Sequence, residues 1–351
     1  AKCSTAEIAN FLWFASIARW RHEGALEALG QRILDPRVID NCTPKLASRI
    51  LATYTSILSL PKNIAGTPSA NDDFPRGLTS QLFHSYGGHL LTSKLSPAEV
   101  SSALHAYAKA SYFHDMGIFD HLVSMMAEMS RALDAPSARQ MAQSLWSCGK
   151  MSVWETGGYS SIADQCEEES TKDAGPPCVQ SAYIIATALS ERAHELTRVD
   201  VTQCIWALGR LGAPTQGIVV SFALRAAELA HEMNAVEVSN ILWGLSRVNF
   251  VHHNLVDQLM ARLTSKEVEV SPKEAAMALY ALARLGVGDE DVYNSLSDVM
   301  IARIDETSAQ AVANTLWAYR NVNLRPPQQL LNLWAVQKLG LASARSIDLG
   351  V

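Results

Sequence analysis

"SNILWGLSRVNF", residues 239–250, is the stretch whose reading decides the fold: the last turns of an amphipathic helix, with an amide at Asn240, a large ring at Trp243 and a cation at Arg247. Nearly the same arrangement returns in "TQCIWALGRLGA", "AMALYALARLGV" and "ANTLWAYRNVNL". Aligned on the ring, these segments place Trp206, Trp243, Tyr280 and Trp317 at successive steps of 37 residues. Further upstream, "AQSLWSCGKM" puts Trp146 in the same slot, "SSALHAYAKA" His105, "SRILATYTSI" Leu51 and "NFLWFASIAR" Trp13. Those intervals (60, 41, 54 and 38 residues, running back from Trp206) read as the same unit with insertions.

A period between about 20 and 50 residues indicates a solenoid or a propeller, and the helical spacing inside each unit selects the solenoid. Nine residues before the ring stands a helix-capping type: Ser4, Ser96, Ser137, Thr197, Asn234, Ser271, and Ser308 or its neighbour Thr307. Their side chains accept bonds from first-turn amides that otherwise have no partner. Glu7, Glu99, Gln140, Glu237 and Glu274 follow three residues later and complete capping boxes, and Pro97 and Pro272 fall where a first-turn proline is tolerated. Six residues after the ring come Gly212, Asn249, Gly286 and Asn323, residue types that accept the left-handed backbone that ends a helix. The second helix of each unit is therefore about 14 residues long, preceded by an amphipathic partner such as "HNLVDQLMARLTS". Neither helix buries its apolar face alone, so the pairs must stack. The expected architecture is all-α: an α-solenoid forming a single array over residues 1–351, about eight units long, with loop insertions near 61–77 and 155–178.

Composition narrows the function. The chain is 48% hydrophobic and 18% charged with a mean hydropathy of +0.03, which suits a folded protein, and no segment approaches the roughly 18 apolar residues of a membrane span. The six cysteines show no C-x-x-C or metal-ligand spacing, and a reducing compartment is expected. His84, His89, His105, His114 and His121 cluster in sequence without a metal-binding spacing, and no phosphate-binding, nucleophile-elbow or dinucleotide motif occurs. No enzymatic activity, cofactor, metal or small-molecule substrate is expected. A formal charge of −6 argues against a generally basic nucleic-acid binder, so RNA binding must rest on local charge.

That local charge lies on the ring's flank. At 100° per residue, positions −3 and +4 from the ring share one side, while −4, −1 and +3 carry small and aliphatic residues facing the core. Position −3 holds Asn10, Ser48, Ser102, Gln143, Gln203, Asn240 and Asn314, with Met277 the exception. Position +4 holds Lys109, Lys150, Arg210, Arg247 and Arg284, and Arg320 sits one place early in the last unit. Two readings compete. Stacked units would line these cations into a file for phosphates, with amides beside them for base edges and rings for stacking. Alternatively, the cations answer the helix dipole at C-termini, the rings pack, and the amides tie units together.

The 37-residue unit with "LWA", "LWG" or "LYA", the basic residue four places on and the closing "LG" or "VN" resembles the heptatricopeptide repeat, and is similar to octotricopeptide and FAST-kinase-like repeats. The resemblance is sharpest over residues 197–323; the octotricopeptide P-P-P-E-W signature is missing, and the ending "NLWAVQKLGLASARSIDLGV" shows no RAP domain. It implies an organellar RNA-binding protein, in a mitochondrion or alternatively a plastid. The role implied is a structural or assembly component of a mitochondrial ribosome that contacts rRNA and neighbouring proteins of the ribonucleoprotein. A transcript-stability or translation factor, or a protein-binding scaffold without RNA, are the alternatives. On the reading of the ring's flank, the RNA-contacting residues are Lys109, Lys150, Arg210, Arg247, Arg284, Arg320, Gln143, Gln203, Asn240 and Asn314.

Overall fold

The computed structural model describes residues 4–60, 74–112, 116–152, 177–212 and 216–332. They are helical throughout, with no strand among them. The chain divides into two compact units, the first comprising Ala1–Thr156 and Lys172–Leu189, the second Gly157–Thr171 and Ser190–Val351.

The first unit contains α1 (Thr5–Ile17), α2 (Glu23–Ile33), the short α3 (Pro36–Ile39), α4 (Pro44–Leu58), α5 (Phe74–Leu91), α6 (Pro97–Ala110), α7 (Met116–Ser130), α8 (Ala138–Met151) and α9 (Pro177–Ser190). Helices α1, α4, α6 and α8 pack side by side in order, and α2, α5 and α7 form a second row behind them. The second unit repeats the plan: α10 (Arg198–Leu211), α12 (Ala235–Arg247), α14 (Pro272–Leu285) and α16 (Ala309–Asn321) make the inner ladder, while α11 (Gln216–Leu229), α13 (His253–Thr264) and α15 (Glu290–Ala302) make the outer row. This is the α-solenoid arrangement the periodicity requires.

The inner helices begin and end as their sequences dictate. Ser4, Ser96, Ser137, Thr197, Asn234 and Ser271 all close capping boxes, and Asp200 takes the acid's place in the fourth. At the last rung Ser308 is the cap, because Thr307 turns its hydroxyl to the carbonyls of Met300 and Arg303. Gly212, Asn249, Gly286 and Asn323 have φ of 87°, 51°, 67° and 57°. Arg19 and Ser111 take the same left-handed turn six residues after Trp13 and His105, at φ 51° and 50°, although neither residue type favours it.

One rung needs correcting. The cap of α4 is Thr43, nine residues before Ala52, so Ala52 and not Leu51 occupies the ring slot; Leu51 is fully buried. Position −3 there is consequently Arg49 rather than Ser48, and the Arg49 guanidinium stands 5.4 Å from the centre of the Trp13 ring. The core is also wider than positions −4, −1 and +3. In α12 every residue from Glu237 to Ser246 is buried except Asn240, because flanking helices cover both sides of an inner helix. Of the expected loop at 61–77, residues 61–73 lie outside the described residues, and α5 already starts at Phe74 with Pro75 in its first turn, where the missing N–H costs nothing. Similarly, α9 takes up the last two residues of 155–178, and the rest of that segment, with His114, lies outside the described residues.

Outside the inner ladder, two arginines repeat. Arg225 on α11 and Arg262 on α13 each donate from Nε to a backbone carbonyl just before the preceding cap, Leu196 and Met233, both at 3.0 Å. Cys42, Cys148 and Cys204 are buried free thiols, and burial holds Cys204 well above the ordinary thiol range.

Candidate nucleic-acid interface

Burial of α12 on both sides leaves a narrow opening along the ladder: position −3 and position +4, two helical turns apart on one side of the helix. In the second unit that line carries Gln203 and Arg210 on α10, Asn240 and Arg247 on α12, Met277 and Arg284 on α14, then Asn314 and Asn321 on α16, where the cation, Arg320, stands one place early.

The three arginines at +4 adopt one disposition. Their guanidinium carbons lie 5.8, 6.0 and 6.0 Å from the centres of the rings one turn earlier: Arg210 over Trp206, Arg247 over Trp243, Arg284 over Tyr280. A cation held over a ring is attracted by the negative face of the π-system. Because the three helices are neighbours in one ladder, the cations follow one another at the helix spacing of roughly 8–10 Å. Among the described residues no carboxylate and no hydrogen-bond acceptor engages Arg247 or Arg284, and the Nε of Arg284 is buried without a partner. A guanidinium carries five N–H donors, so these side chains keep most of theirs available. Arg320 is exposed and directed one residue early, because Asn321 occupies +4 and donates to the carbonyl of Ala283 on α14 at 2.8 Å.

The amides divide into two groups. Gln203 and Asn240 are half-buried, with no hydrogen bond among the described residues. Asn314, by contrast, is buried and accepts from Gln310 at 2.8 Å, and in the first unit Gln143 accepts from Ser101 on α6 at 3.0 Å, tying two rungs together. For Gln143 the bonding is the structural kind. Lys109 likewise reaches back to the hydroxyl of Ser56 on α4 at 3.4 Å, while Lys150 is half-buried near the end of α8.

The rings pack more than they present. Trp243 is 8% exposed and Tyr280 3%, so their faces belong to the ladder's interior. They pair across rungs: Trp206 with Trp243 at 6.2 Å, Tyr280 with Trp317 at 4.8 Å, and in the first unit His105 with Trp146 at 5.3 Å. Burial and the neighbouring Lys109 push the His105 imidazole below its ordinary value of 6.5, so it is a neutral packing ring. Sequence reasoning missed Arg49, which stands on a ring by the opposite route, from the next helix and from position −3. The capping residue Thr43 could have found it, had the slot been counted from the cap rather than from the apolar run.

The fold and this side-chain file define an all-α helical-repeat protein with a periodic row of cations and amides on its inner ladder. Residues 180–344, just under half of the chain, match the family model described as RNA-editing substrate-binding complex 6 protein. No curated protein matches the chain. The stretch over which the match runs includes all of α10 to α16, the rungs on which the arginine file is regular. Among the described residues no helix is long and apolar enough to cross a membrane.

Proposed function

We propose that this chain is a non-catalytic RNA-binding component of a mitochondrial ribonucleoprotein, and that single-stranded RNA follows the inner ladder of the second unit. One observation carries the reading: Arg210, Arg247 and Arg284 repeat a single geometry over their own rings in consecutive rungs, and among the described residues no carboxylate pairs with Arg247 or Arg284. A dipole preference alone accounts for a cation in each last turn, but not for one geometry over the ring in three consecutive rungs. Phosphates respond to that local row, which is how a protein of charge −6 takes a polyanion. Gln203 and Asn240 lie beside the row with their amide groups available to base edges.

The likeness of residues 180–344 to the RNA-editing substrate-binding complex family supports an RNA-bearing complex, with the editing substrate as one form of the RNA. The resemblance of the 37-residue unit to heptatricopeptide repeats supports a mitochondrial ribosome and rRNA as the other. Sedimentation of the tagged protein from mitochondrial extract, with sequencing of the RNA that travels with it, separates the two. Binding itself is tested by titrating a single-stranded RNA at two salt concentrations against wild type and R210E/R247E/R284E. The triple variant is expected to bind more weakly and with a shallower salt dependence; wild-type behaviour at both salts removes the row as the site.

A protein-binding role finds its support elsewhere, on α1, where Phe11, Phe14 and Ile17 are 42%, 64% and 61% exposed. Positions −2 and +1 are buried on α12, where Ile241 and Gly244 fill them, and α1 puts Phe11 and Phe14 there. Crosslinking followed by nuclease treatment tells bound polypeptide from bound RNA.

A further inference from the structure

The rings of α10, α12, α14 and α16 form two pairs, Trp206 with Trp243 and Tyr280 with Trp317, and between the pairs comes the step from α12 to α14. At that step a cavity of about 260 Å³ opens. It is lined by Trp243, Ala276, Met277, Tyr280, Ala311 and Asn314, with the exposed Lys273, Ser308 and Gln310 at its rim. The same rung breaks the amide rule, since position −3 there is Met277 where its neighbours have Asn240 and Asn314. A thioether is soft and unbranched and moulds itself to a flat aromatic surface, which an amide with fixed hydrogen-bond needs does not do.

We propose that this cavity receives one unpaired nucleobase from the RNA strand that the arginine row holds; the inference rests on the RNA reading above. Drug-sized ligands occupy clefts of about 300–1,000 Å³, so a cavity just under that range suits a single heterocycle. The lining is mostly apolar, with two aromatic rings and a sulfur to pack on the base, and Asn314, whose Oδ1 accepts from Gln310, keeps its amide N–H groups as donors. Lys273 at the rim supplies charge for the phosphate attached to that base, and Arg247 and Arg284 hold the strand on either side, over the very rings that wall the cavity. An apolar side chain of a partner protein would use the walls but leave Lys273, Arg247 and Arg284 without counter-charges, so the base uses more of what is there.

The probes are a ten-nucleotide oligouridine and oligoadenosine, and polyphosphate as a polyanion without bases. Met277→Trp fills the cavity from a half-exposed wall. It is expected to weaken both oligonucleotides about tenfold, the magnitude of one lost base-stacking contact, while polyphosphate binding stays as in wild type. Independently of any variant, photo-crosslinking of wild type with 5-iodouridine RNA should label Trp243, Met277 or Tyr280. If M277W binds RNA like wild type and the crosslinks fall elsewhere while R210E/R247E/R284E still loses RNA, the pocket is wrong and the RNA reading stands. If wild type binds neither oligonucleotide, the RNA reading itself fails. If the cavity instead crosslinks to a polypeptide in extract and not to RNA, the proposal is overturned in favour of a protein ligand.

Discussion

Gly209 and Gly244 hold α10 and α12 so close that a Cβ on Gly209 would stand 2.8 Å from the Gly244 Cα, and a Cβ on Gly244 would come within 2.5 Å of the Ile205 carbonyl oxygen. The obstruction is backbone on both sides, which no rotamer change relieves. This contact sets the separation at which Trp206 and Trp243 meet and at which Arg210 and Arg247 follow one another.

Gly244→Ala is therefore expected to destabilise the second unit by about 1–3 kcal/mol, the range for overpacking a close-packed interior. Urea denaturation followed by circular dichroism measures it. A loss below about 0.5 kcal/mol, the scale of ordinary surface substitutions, would show that the helices separate freely.

At the left-handed turns the sign reverses. Ser111, at φ 50°, occupies a conformation that costs an L-residue about 1–2 kcal/mol and glycine almost nothing. Ser111→Gly should raise stability by about 1 kcal/mol, whereas Gly212→Ala, at φ 87°, should lower it by a similar amount. Thermal melts of the two variants should move in opposite directions.

Two kinds of arginine should separate cleanly. Arg262→Met removes the Nε–H donor from the Met233 carbonyl and is expected to cost about 1–3 kcal/mol of stability, with RNA affinity unchanged. Arg247→Gln should leave the melt unchanged, weaken RNA binding, and reduce the slope of log K against log salt by about one. Paired melts and anisotropy titrations at several salt concentrations test both; a common effect on both readouts would mean that the arginines serve one role.

His105 adds a pH dependence to the first unit. Its folded-state value lies below the ordinary 6.5, so in the window from 6.5 down to the folded value the unfolded chain binds more protons than the native one. Stability then falls as pH drops through that window and is fully present above it. His105→Gln should flatten the decline in denaturation midpoints between neutral and mildly acidic pH; an unchanged decline assigns it to other groups.

Much of the ladder was legible because its signals are local. A cap side chain bonds an amide three residues away, a left-handed turn needs a residue that tolerates it, and both are read along the chain without knowing what packs against it. Hence Ser137, Thr197, Asn234 and Ser271 start helices where expected, and Asn249 and Gly286 end them. The upstream rung was misread by one residue because Leu51 is simply a better hydrophobe than Ala52, and hydrophobicity does not tell a ring slot from a core slot. Arg19 and Ser111 end their helices in the left-handed region although neither residue type favours it, closed by the backbone bonds of Trp20 to Ala15 and of Tyr112 to Tyr107, so residue type does not announce them.

The amino-acid order alone thus determined the helix boundaries, the 37-residue beat and the pairing of an amide, a ring and a cation within each unit, since these depend on hydrogen bonds and angles inside one helix. Tertiary structure decided which members of that trio remain available. Neighbouring helices bury Trp243 and Tyr280 and engage Gln143, and among the described residues they leave Asn240, Arg247 and Arg284 without polar partners. It also decided where a cavity opens between two rungs, because distances between rungs follow from packing across two helices that no single stretch of sequence contains.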